Sequence, residues 1–546
     1  MAETRAKTAE DLAKKQREIS IAEFFEKNRH LLGFDNPRKA LLTTVKEAVD
    51  NSLDACEEAR ILPEINVELI QLGETRFRIV IEDNGPGIVR KQIPRIFAKL
   101  LYGSKFHVMK QQRGQQGIGI SAAVLYSQLT TGKPATIISK TGKKQPTHQF
   151  KLKIDTQRNE PDVIEDIEIT WEEKDHGTRI EMDLEGAYMK GRQSVDEYLK
   201  QTAIINPHVT IIYTNPEAQQ AIYSRVATEL PPESTEIQPH PYGIEIGRLI
   251  KMLEATESRT LQSFLTTEFS RVGPGTAKEI CENAKLLPST KPSDVSREMA
   301  EALYQGIQKT KIIAPSMDCL SPIGAELIEK SLKKEINAEF YCAVSRPPEV
   351  YRGNPFQVEI GISYGGEQPK EELISVLRFA NRVPLLYQPG ACAFTKSIIG
   401  TSWKPYGLQQ SSGSLPVGPV TLLLHIASVW VPFTSESKEA LAHYPEIIKE
   451  IKLALQEAGR KLQAYVNKKV RVQSQLERAN LFERYIPEVA DALSRLTGES
   501  KETLLKKLQE MIKKESIQQA IHQMESLKGD VDNETKLAAK SEDEDQ

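Results

Sequence analysis

Polar and apolar residues largely alternate in two stretches of the first third of the chain. In residues 76–83, Phe77, Ile79 and Ile81 fall on one face, and residues 178–184 repeat this pattern. Alternation of period two is typical of a half-buried β-strand. We therefore predict two strands here, the first of which runs into a loop rich in glycine and proline.

A helical spacing of apolar residues dominates three other regions, at residues 21–58, 243–311 and 445–485. The middle region turns sharply at Gly273-Pro274-Gly275. The last keeps a heptad-like apolar stripe that starts at a proline, which suits the first turn of a helix, and should end before the next proline, at 487. Residues 335–432 return to strand-like runs. The chain is therefore predicted to be mixed α/β, with an all-helical segment and a long helix near its end.

Composition limits the class of protein without identifying it. The 546 residues carry 72 Lys and Arg against 75 Asp and Glu, a net charge of −3, which excludes a broadly basic nucleic-acid coat. No apolar run approaches the ~20 residues of a membrane helix, and the first twenty residues lack the apolar core of a signal peptide. The five cysteines lack CxxC spacing, which argues against zinc or disulfides and for a reducing cytosol.

The segment TVKEAVDNSLDA, residues 44–55, is the first candidate for chemistry. On a helix, Glu47, Asn51 and Asp54 share one face, because they are spaced by four and three residues. A carboxylate can polarise a water molecule, and a carboxamide oxygen one turn away can hold Mg²⁺. A solvated helix face would show the same spacing, so the segment alone does not decide between the two.

A second candidate follows the strand at 76–83, where the chain continues as Asp83-Asn84-Gly85-Pro86-Gly87. A buried aspartate here could accept a hydrogen bond from an exocyclic amine such as that of adenine, and glycine lets the backbone approach a ligand. A plain β-turn is the alternative, because such dipeptides form turns in many proteins.

The third candidate is the glycine cluster at 114–120, which leads into a predicted helix that stops at Gly132. Free N–H groups at a helix N-terminus suit a polyphosphate. The cluster is not a P-loop, since Ile120 stands where that motif requires lysine, and its glycine spacing does not fit a dinucleotide fold. A flexible loop without a ligand remains the alternative.

His176-Gly177-Thr178, a fourth piece, offers a hydroxyl at a strand start and means little alone.

Together and in this order, the four pieces resemble the Bergerat ATP-binding fold of the GHKL superfamily, which includes type II topoisomerases, MutL, the ninety-kilodalton heat-shock chaperone and sensor histidine kinases. The resemblance implies ATP and Mg²⁺ as ligands, with Glu47 as general base and Asn51 as metal ligand. It also implies that Asp83 reads adenine, Gly87 lines its pocket and Thr178 supports these bonds. The phosphate loop would consist of Gly114, Gln115, Gln116, Gly117, Ile118, Gly119, Ile120 and Ser121.

Longer strings narrow the resemblance to the B subunit of archaeal-type DNA topoisomerase VI, over about residues 20–480. They are IAEFFEKNRHLLGF, LLYGSKFH, GISAAVLYSQLTTGKP and WVPFTSESKEAL. The resemblance places Ser104 and Lys105 near the nucleotide. It makes Lys438 a switch lysine that reaches the γ-phosphate from a second domain, which agrees with a cation in a polar loop after the apolar run 420–431.

The same resemblance implies a domain order and a set of partners. The expected segments are an N-terminal arm (1–19), a GHKL ATP-binding domain (20–240), a helix-two-turns-helix domain (241–315), a transducer α/β domain (316–486) and a helical extension with an acidic disordered tail (487–546). Two such chains would dimerise on ATP, close on double-stranded DNA and join two A subunits, which carry the cleavage chemistry, in a heterotetramer. The complex would relax and decatenate DNA in the cytoplasm of an archaeal cell, at the nucleoid.

The residues leave other interpretations open. An ATP-gated clamp of the MutL or heat-shock type would act on protein clients, and a nucleotide-binding scaffold would lack turnover. The helical insert either contacts DNA or simply packs. Trp403-Lys404-Pro405-Tyr406 either stacks on DNA or anchors a loop through a buried Trp403. Basic residues at the far end of the long helix face phosphate, an acidic partner or solvent; they are Lys468, Lys469, Arg471 and Arg478.

Overall fold

The computed structural model describes Ala13, Gln16 and residues 18–105, 108–114, 117–435 and 438–512. Most of the expected N-terminal arm, the acidic tail after 512, and Gln115 and Gln116 of the expected phosphate loop lie outside these residues.

The first α/β domain is built on a mixed sheet of eight strands, in the order β5-β4-β3-β6-β2-β1-β7-β8. All neighbours are antiparallel except β1 and β7. The two strands predicted from alternation are β2 and β6. The bounds are β1 (Glu64–Gln71), β2 (Arg76–Asp83), β3 (Ala135–Lys140), β4 (Thr147–Asp155), β5 (Glu160–Ile169), β6 (Gly177–Glu185), β7 (Thr210–Thr214) and β8 (Gln220–Tyr223).

Five helices accompany this sheet: α1 (Ile21–Lys27), α2 (Pro37–Glu58), α3 (Ile93–Ala98), α4 (Gly119–Thr131) and α5 (Val195–Ile205). Helix α2 starts where the side chain of Asn36 caps the N–H of Lys39, with a proline at the first helical position. Helix α4 ends at Gly132, whose φ of 71° suits glycine. Helices α2, α4 and α5 share one apolar core with the sheet, and this core fixes the polar face of α2.

Four helices with a core of their own follow: α6 (Ile246–Ala255), α7 (Leu261–Glu268), α8 (Pro274–Asn283) and α9 (Arg297–Lys309). The predicted turn at 273–275 is the start of α8, where Pro274 takes the first position. None of the helices in the described part of the chain is long and apolar enough to cross a membrane.

A second α/β domain follows, with strands in the order β10-β11-β14-β12-β13 and with β9 beside β11. Its strands are β9 (Phe340–Ser345), β10 (Glu349–Tyr351), β11 (Asn354–Tyr364), β12 (Ser375–Ala380), β13 (Val383–Pro384) and β14 (Val420–Ser428). Its helices are α10 (Ala325–Glu335), α11 (Ala393–Ile399) and α12 (Pro445–Thr497), and a further helix, α13 (Lys501–Ile512), follows. Apolar side chains of α5 and α10 form one cluster, so the two α/β domains are packed together.

The long helix differs from its prediction at one end. The sequence predicts a stop before Pro487, but α12 runs through that proline to Thr497 and ends at Gly498, which has a φ of 74°. An internal proline removes one backbone donor and its ring crowds the preceding turn, but the buried Ile486 and Ala490 on either side of it keep the helix packed. Its 53 residues give a rod of about 80 Å.

Candidate nucleotide-binding site

A cavity of about 610 Å³ lies between α2, the loop after β2, the glycine loop before α4 and two loops of the second α/β domain. Thirteen of the candidate residues line it: Glu47, Asn51, Asp83, Gly87, Ser104, Lys105, Gly114, Gly117, Ile118, Gly119, Ile120, Thr178 and Lys438. Ser121 does not line it, because its hydroxyl points inward and donates to the carbonyl oxygens of Ile96 and Lys99.

Glu47 lies on the cavity face of α2, half-buried. Its carboxylate accepts a hydrogen bond from the ammonium of Lys46 at 3.2 Å. Burial alone would raise the pKa of Glu47, but the ammonium groups of Lys46 and Lys438 outweigh burial and hold that pKa below its usual value. An ionised carboxylate facing a cavity is in the state that a general base requires.

The glycine loop approaches this carboxylate closely. A Cβ atom built on Gly119 would stand 1.8 Å from Oε2 of Glu47, so no larger residue fits while Glu47 keeps its position. A Cβ on Gly114, at the start of the loop, would meet nothing within 4 Å. Gly119 therefore has a steric reason to be glycine, namely its closeness to Glu47.

Asp83, at the end of β2, is 4% exposed. Its Oδ1 accepts from the backbone N–H groups of Gly85, at 2.9 Å, and Thr178, at 3.1 Å, and its Oδ2 accepts from the hydroxyl of Ser52 at 2.8 Å. Burial raises the pKa of Asp83 despite these bonds. Among the residues that the structure describes, Oδ2 has one donor, which leaves it a lone pair for an amine in the cavity. Thr178 thus supports Asp83 through its backbone N–H, whereas the sequence pointed to its hydroxyl.

Gly87 closes the wall beside Asp83. Its φ is +71°, and a Cβ there would stand 2.1 Å from the carbonyl oxygen of Lys140. Both observations restrict the position to glycine, since other residues are strained at positive φ and would clash with the backbone.

Lys438 reaches the cavity from the second α/β domain. Its ammonium donates to the carbonyl oxygen of Arg113, just before the glycine loop, at 3.1 Å. Burial and the like charge of Lys46 lower the pKa of Lys438. The structure thus brings this lysine to the same cavity as Glu47, although the two belong to different domains.

Comparisons with known proteins show the family of the chain. A family described as "Histidine kinase-, DNA gyrase B-, and HSP90-like ATPase" matches residues 40–178, and "Topoisomerase VI B subunit, transducer" matches residues 315–478. The B subunit of type 2 DNA topoisomerase 6 from Methanococcoides burtonii is 52% identical over 490 residues, 90% of this chain and 79% of the relative. That of Methanosarcina acetivorans is 53% identical over 483 residues, 88% and 78% of the two chains.

A more distant relative of the same name, from Natronomonas pharaonis, is 36% identical and covers 90% of this chain and 84% of its own. This chain belongs to the family of type 2 DNA topoisomerase 6 B subunits. The fold class expected from the sequence, a GHKL-type ATPase domain followed by a transducer, is thereby confirmed. Membership of the topoisomerase 6 B family also decides against the MutL-like or chaperone-like clamp.

Sequence reasoning missed several charged contacts of this topoisomerase 6 site. Lys105 pairs with Asp54 at 2.6 Å, so Asp54 binds a lysine of the cavity wall. Lys39 pairs at 2.5 Å with Glu439, the neighbour of Lys438, and so joins α2 to the second domain. Lys39 lies near the start of α2, but nothing in the local pattern indicates a partner about 400 residues away.

Two of the residues considered for DNA contact in this topoisomerase family member make contacts within the chain. Trp403 is fully buried and its indole N–H donates to the carbonyl oxygen of Ile398 at 2.9 Å, so that side chain anchors its loop. At the far end of α12, Lys469 pairs with Glu339 of its own domain.

Proposed function

We propose that this chain binds and hydrolyses ATP in the 610 Å³ cavity and uses the reaction to drive a type IIB topoisomerase. Membership in the B-subunit family makes it the ATP-hydrolysing subunit of a type II DNA topoisomerase. The observation that carries the residue assignments is the meeting of Glu47 and Lys438, from two domains, at one cavity.

The donor set fits Mg²⁺ that arrives with the nucleotide. The described residues hold no cluster of three or more His, Cys, Asp or Glu side chains that could form a metal cage. Mg²⁺ usually keeps several waters and takes one or two protein oxygens together with substrate phosphates. Asn51 offers such an oxygen one helical turn from Glu47 and would hold the ion, which supplies charge neutralisation at the phosphates.

Each remaining residue has a distinct task in hydrolysis. Glu47 accepts the proton of the water that attacks the γ-phosphorus, and ADP and phosphate are released. Lys438 contacts the γ-phosphate and stabilises the negative charge that develops there. Asp83 accepts a hydrogen bond from the adenine amine, and Gly87 lets the base lie against the backbone. The glycine loop offers N–H groups at the start of α4, where the helix dipole favours phosphate.

Family membership supports the proposed partners. Two copies of this chain dimerise when ATP binds and so close a gate on a DNA duplex. The A subunit cuts the second duplex, in a heterotetramer of two A subunits and two copies of this chain. Because Lys438 belongs to the second α/β domain, nucleotide contact at its ammonium would move that domain and the 53-residue helix α12 together. The result is relaxation and decatenation of DNA in the cytoplasm.

Decatenation of linked DNA circles tests this proposal. We would assay the chain alone and with the A subunit of the same organism, with ATP or a non-hydrolysable analogue. Decatenation only with both subunits and ATP is expected. Absence of decatenation, with ATP hydrolysis and nucleotide-driven dimerisation retained, would contradict the topoisomerase assignment and keep the clamp chemistry.

A further inference from the structure

The three residues before Gly114 are each bonded to the far side of the domain boundary. The N–H of Gln111 donates to the carbonyl oxygen of Cys319 at 2.9 Å, and its side chain bonds the N–H and carbonyl of Ser321. The carbonyl oxygen of Gln112 accepts from the amide of Asn381 at 2.9 Å, and that of Arg113 accepts from Lys438. We call residues 111–113 the entry segment, since they lead into the glycine loop.

Asn381 and Arg382 form the two-residue turn between β12 and β13, in which Ala380 pairs with Val383. Their φ angles are +47° and +64°. Two-residue hairpins of this type favour Asn and Gly, and arginine at positive φ is uncommon and costs energy. A strained turn persists only where its surroundings fix it.

The surroundings do fix this turn. The side chain of Asn381 accepts from the N–H of Ser428 at 2.8 Å and donates to its carbonyl oxygen at 2.9 Å. The N–H of Arg382 donates to Nε2 of the buried His425 at 3.0 Å. The tip of the hairpin is thus a rigid part of the second α/β domain.

The guanidinium of Arg382 extends the same contact. It is buried, donates to the carbonyl and hydroxyl oxygens of Ser321 at 2.8 and 2.9 Å, and lies 3.8 Å from the carboxylate of Glu57. Glu57, on α2, also pairs with Arg113 of the entry segment at 2.6 Å. Buried charges are tolerated only when paired, so Glu57 ties the hairpin tip and the entry segment together.

We propose that Asn381 and Arg382 are positioning residues for ATP hydrolysis. They hold the entry segment, and with it the carbonyl of Arg113 that Lys438 contacts, so Lys438 does not engage this segment alone. The inference rests on the proposed function, in which Lys438 acts on the γ-phosphate. Loss of the hairpin contact should lower kcat and leave ATP affinity nearly unchanged, because Asp83 and Gly87 are held by other elements.

Asn381→Asp tests this proposal in the full chain. Aspartate also tolerates positive φ and keeps the acceptor for the Ser428 N–H, but it removes the donor to Gln112 together with the donor to the Ser428 carbonyl oxygen. Asn381→Gly removes the same donors, and also the acceptor for the Ser428 N–H, without adding charge. We expect kcat to fall about ten-fold in both variants and KM for ATP to stay within about two-fold. Gln357→Glu is the matched control: it removes an amide donor to the Arg346 carbonyl, at 2.9 Å, in the same sheet, and should change neither constant.

Hydrogen exchange on the same proteins separates positioning from simple stability. Exchange should rise more at 111–114 than at 375–385 in the Asn381 variants, because the bond from the Arg382 N–H to His425 still holds the hairpin. An unchanged kcat, or an equal rise in both segments, would overturn the proposal. If the unmodified chain does not hydrolyse ATP, the proposed function fails, whereas the exchange comparison still decides whether the hairpin holds the entry segment.

Discussion

The ammonium of Lys438 donates to the carbonyl oxygen of Arg113 at 3.1 Å, across 325 residues of sequence. One residue belongs to a loop of the second α/β domain, and the other precedes the glycine loop of the first. Displacement of either domain would therefore separate a cation from the cavity in which Glu47 lies. Under the proposed function, this bond would let the second α/β domain respond to a nucleotide in the cavity.

Replacing Lys438 with methionine should separate catalysis from binding. Removal of one preorganised cation from a site where charge develops typically costs about 10²–10³-fold in kcat, while adenine contacts are untouched. We expect kcat for ATP to fall by about that factor and the Kd of a non-hydrolysable analogue to change little. Lys396→Met, at an exposed lysine of the same domain, is the control. Equal kcat in the two variants would exclude the switch role.

Glu47→Ala should abolish hydrolysis and spare nucleotide binding. The carboxylate is ionised and faces the cavity, and loss of a general base lowers the rate by about 10²–10⁴-fold. Phosphate release and analogue binding by calorimetry would be measured on the same preparation. Turnover at the native rate would show that another group accepts the proton.

A pair of glycine variants tests the geometry of the loop. In Gly119→Ala the new methyl would stand 1.8 Å from Glu47, so the carboxylate or the start of α4 must move. Gly114→Ala adds the same methyl to the same loop where nothing lies within 4 Å. Hydrolysis should fall at least about ten-fold in the first variant and stay within about two-fold in the second. The same loss in both would mean that loop flexibility, rather than the contact with Glu47, matters.

Local patterns predicted the elements of the site but not the contacts between them. Spacing on α2 placed Glu47 and Asn51 on one face, and alternation placed Asp83 at the end of β2, because both signals depend on neighbours in sequence. The pairing of Arg113 with Glu57, and of Lys39 with Glu439, depends on how domains pack. The continuation of α12 through Pro487 likewise depends on tertiary burial, which overrides a local helix-breaking signal.

Lys46→Gln should shift the pH dependence of hydrolysis. Burial raises the pKa of Glu47, and Lys46 has the larger effect of the two cations that pull it below its usual value. Removing Lys46 therefore raises this pKa, so that Glu47 becomes protonated, and inactive as a base, at a higher pH than in the unmodified chain. The acid limb of kcat should move to higher pH, with the two proteins most alike at alkaline pH. Profiles of kcat measured from about pH 5 to 9 would reveal this shift of the acid limb.

Lys278→Gln, in the helical domain, is the control and should leave the acid limb in place. Coincident limbs for Lys46→Gln and the unmodified chain would mean that Lys46 does not control the ionisation of the base.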